Sequence, residues 1–426
     1  MRLCETRGGF SSSYFILEQN TSLPSVGFSG LTIAPLFLEA LVRMNYTEPT
    51  PIQQQVIPVA IEGKDIVGIA QTGTGKTLAF CLPMLQRLSN MDAQGLVLVP
   101  TRELATQVEE SIQEISKGMG VRTAVLIGGA QMYPQVRALR NNPHIIVATP
   151  GRFMDHLKQK HFNLTRVRVV VLDEADRMLD MGFAQQITTI LKMISTERQT
   201  MLFSATMPPE IMKLATGHMQ LPIRIEIAPA GTTASRVTQE IFIVQRDAKI
   251  PMVEKLLAQY SGTTLIFSKT KHGARKLTDM IRGMGHTVAE LHANRSLGQR
   301  REALAGFKSG AYRVLVATDI ASRGIDVTGI ELVINFDLPM NPEDYVHRIG
   351  RTARAGAGGH AISLATPDQR GTLRNIERII RMEIPVSEGP GMPPLARQGG
   401  QDSRPFAARR RTFGARRGFR SRRRSF

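Results

Sequence analysis

Residues 66–77 read Ile66-Val67-Gly68-Ile69-Ala70-Gln71-Thr72-Gly73-Thr74-Gly75-Lys76-Thr77. A short apolar run, a turn with two glycines and an apolar-periodic run over 77–88 predict strand, tight loop and helix. Gly73 and Gly75 let the backbone fold closely around an anion, and the amides at the helix start then point at it. Lys76 can reach the outer phosphates of a nucleotide, and Thr77 can offer its hydroxyl to magnesium. Ala70 stands where the general G-x-x-x-x-G-K-[ST] pattern has its first glycine. The plain alternative is a Gly-rich turn with an exposed lysine. The strand-loop-helix setting decides against it, and it is also the setting of a parallel α/β sheet that binds ligands at the carboxyl ends of its strands.

The pattern continues on both sides of this loop. Short β-branched or apolar runs at 65–69, 95–99, 123–127, 144–148, 167–172 and 199–203 predict six strands in the first half. Six more are predicted at 240–244, 263–267, 287–291, 312–317, 332–335 and 361–364. Helical periodicity falls between many of them, as at 102–115, 273–284 and 299–308. Continuous apolar strands alternating with helices imply parallel sheets covered on both faces. The stretch 228–236 (APAGTTASR) reads as a linker. The organisation expected is a flexible extension over 1–25, a first domain over 26–227, a second over 237–388 and a disordered basic tail over 389–426.

The chain of 426 residues is long enough for two or three domains, and its 42% hydrophobic content excludes disorder throughout. No apolar run approaches the ~18 residues of a membrane span. Two cysteines, Cys4 and Cys81, make neither a disulfide framework nor, with the scattered histidines, a zinc site. A reducing, cytoplasmic setting is expected. The first twenty residues lack the long apolar stretch of a secretory signal. The formal net charge is +18, which points to a polyanion. Residues 389–426 hold eleven arginines against the single acid Asp402, so the tail carries +10 and everything before it only +8. Phe406, Phe413, Phe419 and Phe426 are interleaved with those arginines, as a non-specific nucleic-acid tether would be.

The run at 167–172 ends in Asp173-Glu174-Ala175-Asp176. A carboxylate at a strand end beside a phosphate loop is the expected magnesium partner, here Asp173. Glu174 is then placed to orient or deprotonate an attacking water. An acidic helix start favoured by the helix dipole is the alternative, and the phosphate loop makes it the minor one.

With those residues on the page, the chain resembles the DEAD-box family of ATP-dependent RNA helicases. It looks most like the bacterial type with a compact core and a short basic tail. The resemblance spans 28–384 and rests on about nine motifs in order. It implies two tandem RecA-like domains. In the first, Phe28 would stack on adenine, and Gln53 of Thr47-Glu48-Pro49-Thr50-Pro51-Ile52-Gln53 would read the adenine edge. Thr72, Gly73, Thr74, Gly75, Lys76 and Thr77 would cradle the phosphates of ATP, with Thr77 and Asp173 on Mg2+. Pro100–Leu104, Gly128-Gly129 and Thr149–Arg152 resemble RNA contacts, with Arg102, Gly129, Thr149 and Arg152 on the strand. Ser204-Ala205-Thr206 would couple hydrolysis to unwinding, which puts Ser204 and Thr206 in the catalytic set with Lys76, Asp173 and Glu174. In the second domain, the 317–326 stretch would touch RNA through Thr318 and ribose through Asp326, with Arg300 on RNA nearby. His347–Arg354 resembles the arginine-finger motif, with Arg351 and Arg354 aimed at the γ-phosphate.

Four positions depart from the family pattern: Asn45, Ala293, Leu297 and Ala353. Asn45 can keep a left-handed turn that glycine usually makes. The function expected is an RNA-stimulated ATPase that unwinds short duplexes or remodels RNA–protein complexes, and ribosomal or RNA-decay proteins are candidate partners. Low aromatic content and the lack of tryptophan favour sequence-tolerant contacts to phosphates and 2′-hydroxyls. A non-enzymatic RNA scaffold and a DNA translocase of the same architecture are the competing readings.

Overall fold

The structure, a computed structural model, describes residues 27–71, 73–227, 237–319, 327, 329–352, 359–380 and 382–387. Thr72, Asp326, Ala353 and Arg354 lie outside the described residues, as do the N-terminal extension, the linker and the arginine-rich tail. All described residues belong to one contact unit, Met1–Ser387.

Seven strands build the first sheet: β1 (Ile66–Ile69), β2 (Gln94–Leu98), β3 (Thr123–Leu126), β4 (Ile145–Ala148), β5 (Val167–Leu172), β6 (Gln199–Ser204) and β7 (Ile223–Glu226). Their order is β3-β4-β2-β5-β6-β1-β7, and every pair is parallel. Six strands build the second: β8 (Val237–Ile243), β9 (Thr264–Phe267), β10 (Val288–Leu291), β11 (Val314–Ala317), β12 (Leu332–Asn335) and β13 (Gly359–Ala365). Their order is β10-β11-β9-β12-β13-β8, again all parallel.

The continuous apolar runs are explained by burial on both faces. On β2, Leu96 and Leu98 enter one hydrophobic cluster while Val97 and Val99 enter another across the sheet. On β5, Val169 and Val171 face the second of these clusters, and Val170 and Leu172 the first. The second sheet repeats the device at β11, where Leu315 and Val316 belong to opposite clusters. Strand β7 is absent from the sequence reading. It is a half-exposed edge strand that alternates Ile223 and Ile225 with Arg224 and Glu226, so it lacks the buried run that marks its neighbours. No helix among the described residues is long and apolar enough to cross a membrane.

The strand order divides the carboxyl edge of the first sheet. Adjacent strands β5, β6 and β1 deliver Asp173, Ser204 and the 70–77 loop. Adjacent strands β2, β4 and β3 deliver Arg102, Thr149 and Gly129. Residues as far apart in the chain as Ala70 and Ser204 thus share one of two neighbouring ledges.

Candidate active site

Two left-handed glycines fold the phosphate loop tightly. Gly73 and Gly75 have φ of +85° and +91°. Helix Lys76–Ser89 starts at Gly75, and buried Lys76 donates from Nζ to the Ala70 carbonyl at 2.7 Å. Gly75 cannot carry a side chain: a Cβ there would meet Gln53 Nε2 at 2.4 Å. Gln53 explains this contact. Its Oε1 accepts from Thr50 N at 2.9 Å in a capping box that starts helix Pro51–Ile61, and its Nε2 donates to Gly75 O at 3.1 Å. Gln53 therefore braces the phosphate loop, with both ends of its amide engaged inside the protein.

A cavity of about 420 Å³ opens over this loop, lined by Lys76, Thr77, Asp173, Glu174 and, from the second domain, Arg351. Tyr46, Gln107 and Ser111 line it too. Phe28 does not line it. That side chain is 5% exposed and packs in the core with Leu31 and Phe37, so the expected adenine platform lies inside the domain. The half-exposed aromatic on the cavity is Tyr46, which follows Asn45 in its left-handed conformation at φ +58°. The sequence reading assigned Tyr46 no role, although the motif that contains it was the available signal.

The acidic residues have opposite electrostatics. Burial pushes the Asp173 carboxyl up to about 6, against the pull of Lys76, with Glu174 adding to the rise. Burial acts the same way on Glu174, but Arg177, Lys76 and Arg351 together outweigh it and hold Glu174 down at about 2. Arg177, buried one helical turn on, donates to Glu174 Oε2 at 2.8 Å. Glu174 itself adopts φ +51°, ψ +51°, a strained conformation for a side-chain-bearing residue at a helix start.

Asp176 organises the neighbouring strand end. Its Oδ2 accepts from Ala205 N (3.0 Å), Thr206 N (2.9 Å) and Thr206 Oγ1 (3.0 Å). Its own amide donates to Ser204 Oγ at 3.3 Å. Ser204 and Thr206, expected among the catalytic groups, thus face Asp176 and do not line the cavity. Asp176 and Arg177 carry much of the site's order and were not singled out from the sequence.

In the second domain, Arg348 lies in helix Pro342–Ile349 and Arg351 follows just past its end. Arg351 donates from Nε to the His347 carbonyl at 3.3 Å. Burial and Arg177, opposed by Asp176 and Glu174, hold the His347 ring down at about 3, so it is neutral. Arg348 is anchored instead: it grips Asp319 at 2.6 and 2.8 Å, donates to Asn335 Oδ1 at 3.1 Å and to Asp337 O at 2.6 Å, and lies over the Phe267 ring. The 317–319 stretch and the arginine-bearing helix are thereby one piece.

On the other ledge, Arg102 lies across the glycine pair. A Cβ on Gly129, at φ +74°, would sit 2.1 Å from Arg102 Nη1. Arg152 donates to Ala130 O at 3.0 Å, and Thr149 starts helix Pro150–Lys158. Arg300 has a partner inside the protein. Both it and Glu103 are 7% exposed, and they pair across the two domains at 2.9 Å. The geometry is an ion pair without an aligned hydrogen bond. Glu103, in the first turn of helix Arg102–Ile115, faces the second domain and takes the cation expected on RNA. Leu297 packs partly against the first domain's core, so this departure from the pattern becomes an apolar contact between domains. Thr318 follows β11 on the second sheet.

A phosphate loop, a strand-end carboxylate and an arginine from a second sheet in one cavity define a two-domain nucleoside-triphosphate hydrolase. Residues 50–214 match the DEAD/DEAH box helicase family model, and 248–356 match the helicase conserved C-terminal domain. The chain is 41% identical over 379 residues to ATP-dependent rRNA helicase RRP3 of Debaryomyces hansenii, covering 88% of this chain and 80% of that one. It is 42% identical over 366 residues to DEAD-box ATP-dependent RNA helicase CshA of Bacillus cereus, covering 85% and 70%. Among solved structures, S. cerevisiae Dbp5 bound to RNA and ADP BeF3 is similar with TM-score 0.76 at 29% identity, covering 84% of this chain and 95% of that one. The chain belongs to the DEAD-box family of ATP-dependent RNA helicases. It is an enzyme, which sets aside the scaffold reading.

Proposed function

We propose that ATP and RNA together hold the two sheet domains shut, and that this closure separates short RNA duplexes or remodels RNA–protein complexes. The observation that carries the reading is Arg351 of the second domain on the same cavity as Lys76, Asp173 and Glu174 of the first. The Arg300–Glu103 pair and the 3.5 Å contact from Arg301 to Thr106 support the same closed arrangement.

In this mechanism Tyr46 takes the base, and Gln53 links the base end of the cavity to the phosphate loop. Gly73, Thr74, Gly75, Lys76 and Thr77 hold the phosphates. Among the described residues no group of three or more His, Cys, Asp or Glu could cage a metal. Magnesium suits such a site, because it takes one or two carboxylates and keeps water and phosphate oxygens. Asp173 and Thr77, both on the cavity, would hold it. The ion would supply charge to the outer phosphates. Glu174, fully ionised beside Arg177, orients the attacking water; at about 2 its basicity is low for proton abstraction. Arg351 stabilises charge developing on the transferred phosphoryl group. Asp176 ties this chemistry to Ser204 and Thr206. Arg102, Gly129, Thr149 and Arg152 contact the RNA backbone, with Thr318 on the second domain.

Phosphate release with and without RNA, for wild type, Glu174→Gln and Arg351→Ala, tests the reading. RNA-stimulated release in the wild type and its loss in both variants is the expected result. A wild-type rate indifferent to RNA would overturn it.

A further inference from the structure

Beneath the RNA ledge of the first domain lies a closed polar network that the mechanism above does not use. Gln135 and His156 are both buried, at 6% and 0% exposure. Gln135 Oε1 accepts from Ile127 N at 3.2 Å, while its Nε2 donates to Ile127 O at 3.2 Å and to Gln131 O at 3.0 Å. A backbone amide only donates and a carbonyl only accepts, so Ile127 fixes which way the Gln135 amide points. The end facing His156 Nε2, 3.2 Å away, is therefore the oxygen, and His156 must carry its proton on Nε2. Burial first, then His161 and Arg152 with Asp155 opposing, push the His156 ring down to about 4. The ring is neutral near pH 7, and its Nδ1 accepts from His161 Nδ1 at 2.9 Å.

The connectivity gives this network a purpose. Ile127 immediately precedes Gly128-Gly129, and His156 sits in the helix that begins at Thr149. Arg152 of that same helix donates to Ala130 O, just after the glycine pair. The glycine loop is thus tied on both flanks to the helix that follows the adjacent strand.

We propose that Gln135 and His156 are positioning residues that hold the Gly128-Gly129 loop and the Thr149–Arg152 turn at one fixed spacing, and that this spacing sets the first domain's affinity for the RNA backbone. The inference rests on the reading that both segments contact RNA. A pre-set spacing removes the ordering cost of binding two neighbouring phosphates. A merely structural histidine would instead stabilise the fold and leave RNA affinity alone.

The test measures RNA-stimulated phosphate release by the full chain over a range of RNA concentrations. The variants are Q135M, H156F and H156Q, whose amide nitrogen stands where Nε2 stood. Q135M and H156F should raise the half-saturating RNA concentration about 5- to 10-fold with maximal rate within about twofold, and H156Q should restore it. If the apolar variants fail to fold, Gln135→Glu keeps the acceptor, removes the donor to Ile127 O and must raise half-saturation too. Half-saturation unchanged in the folded variants, or H156Q no better than H156F, would overturn the inference. A wild type that RNA does not stimulate would instead overturn the functional reading beneath it.

Discussion

At the ends of β5, β6 and β1 the first sheet carries buried charge: Asp173, Glu174, Asp176, Arg177 and Lys76, with Arg351 added from the second domain. At the ends of β2, β4 and β3, one strand over, it carries backbone groups, with the neutral pair Gln135 and His156 tied to Ile127, Arg152 on the Ala130 carbonyl and Arg102 against Gly129. The two ledges share a sheet, an edge and a polarity. They differ in what is pre-arranged. The first arranges fields, which act on a reaction that moves charge. The second arranges distances, as the proposed grip on an RNA backbone requires.

Removing a charge from the first ledge should have the largest effect. Glu174→Gln is expected to lower RNA-stimulated phosphate release by on the order of 10³–10⁴ while nucleotide and RNA still bind. A loss under about tenfold would blur the distinction between ledges. Arg351→Ala should cost about 10³-fold in single-turnover hydrolysis, with the same rate limit at any RNA concentration.

The pH response sharpens the contrast. With Asp173 near 6 and Glu174 near 2, Asp173 is the one of these two acids that changes charge between pH 7 and 5. Its ionised fraction falls about tenfold over that range, so turnover at low ATP should fall by about that factor. The native carboxyl lies above the ordinary aspartate range, so protonation in this window favours the folded state. Asp173 therefore contributes no loss of thermal stability there, and a fall in Tm parallel to the activity would contradict the assignment. The smallest effect belongs to the second ledge: Gly129→Ala forces a Cβ into Arg102 at a positive φ. It should raise half-saturating RNA about tenfold, near 1.4 kcal/mol, and leave the pH profile as it was.

The nucleotide ledge is the more legible in sequence because its signals are local. Gly73, Gly75, Lys76 and Thr77 act through the backbone of one loop, and Asp173 ends one strand. Arg177 was legible in principle, since three residues after Glu174 on a helix is contact distance, but an arginine there reads equally well as solvated. Phe28 shows the limit. An aromatic upstream of the motif looks like a platform, and only its neighbours Leu31 and Phe37 decide that it faces the core. Arg300 is similar, because its partner Glu103 is nearly two hundred residues away.

Alternation of apolar strands and helices, with a phosphate loop and an acidic strand end, was enough to fix two parallel α/β domains and a nucleotide site. Periodicity and short-range backbone geometry are properties of neighbouring residues, and the chain carries them without folding. Which strands lie side by side is not such a property. The order β3-β4-β2-β5-β6-β1-β7 separates the two ledges, the second domain's packing puts Arg351 on the cavity with Glu174, and the Ile127–Gln135 pairing assigns one proton to His156 Nε2. Each of those depends on burial and on partners remote in sequence, where desolvation makes one pairing far better than any other.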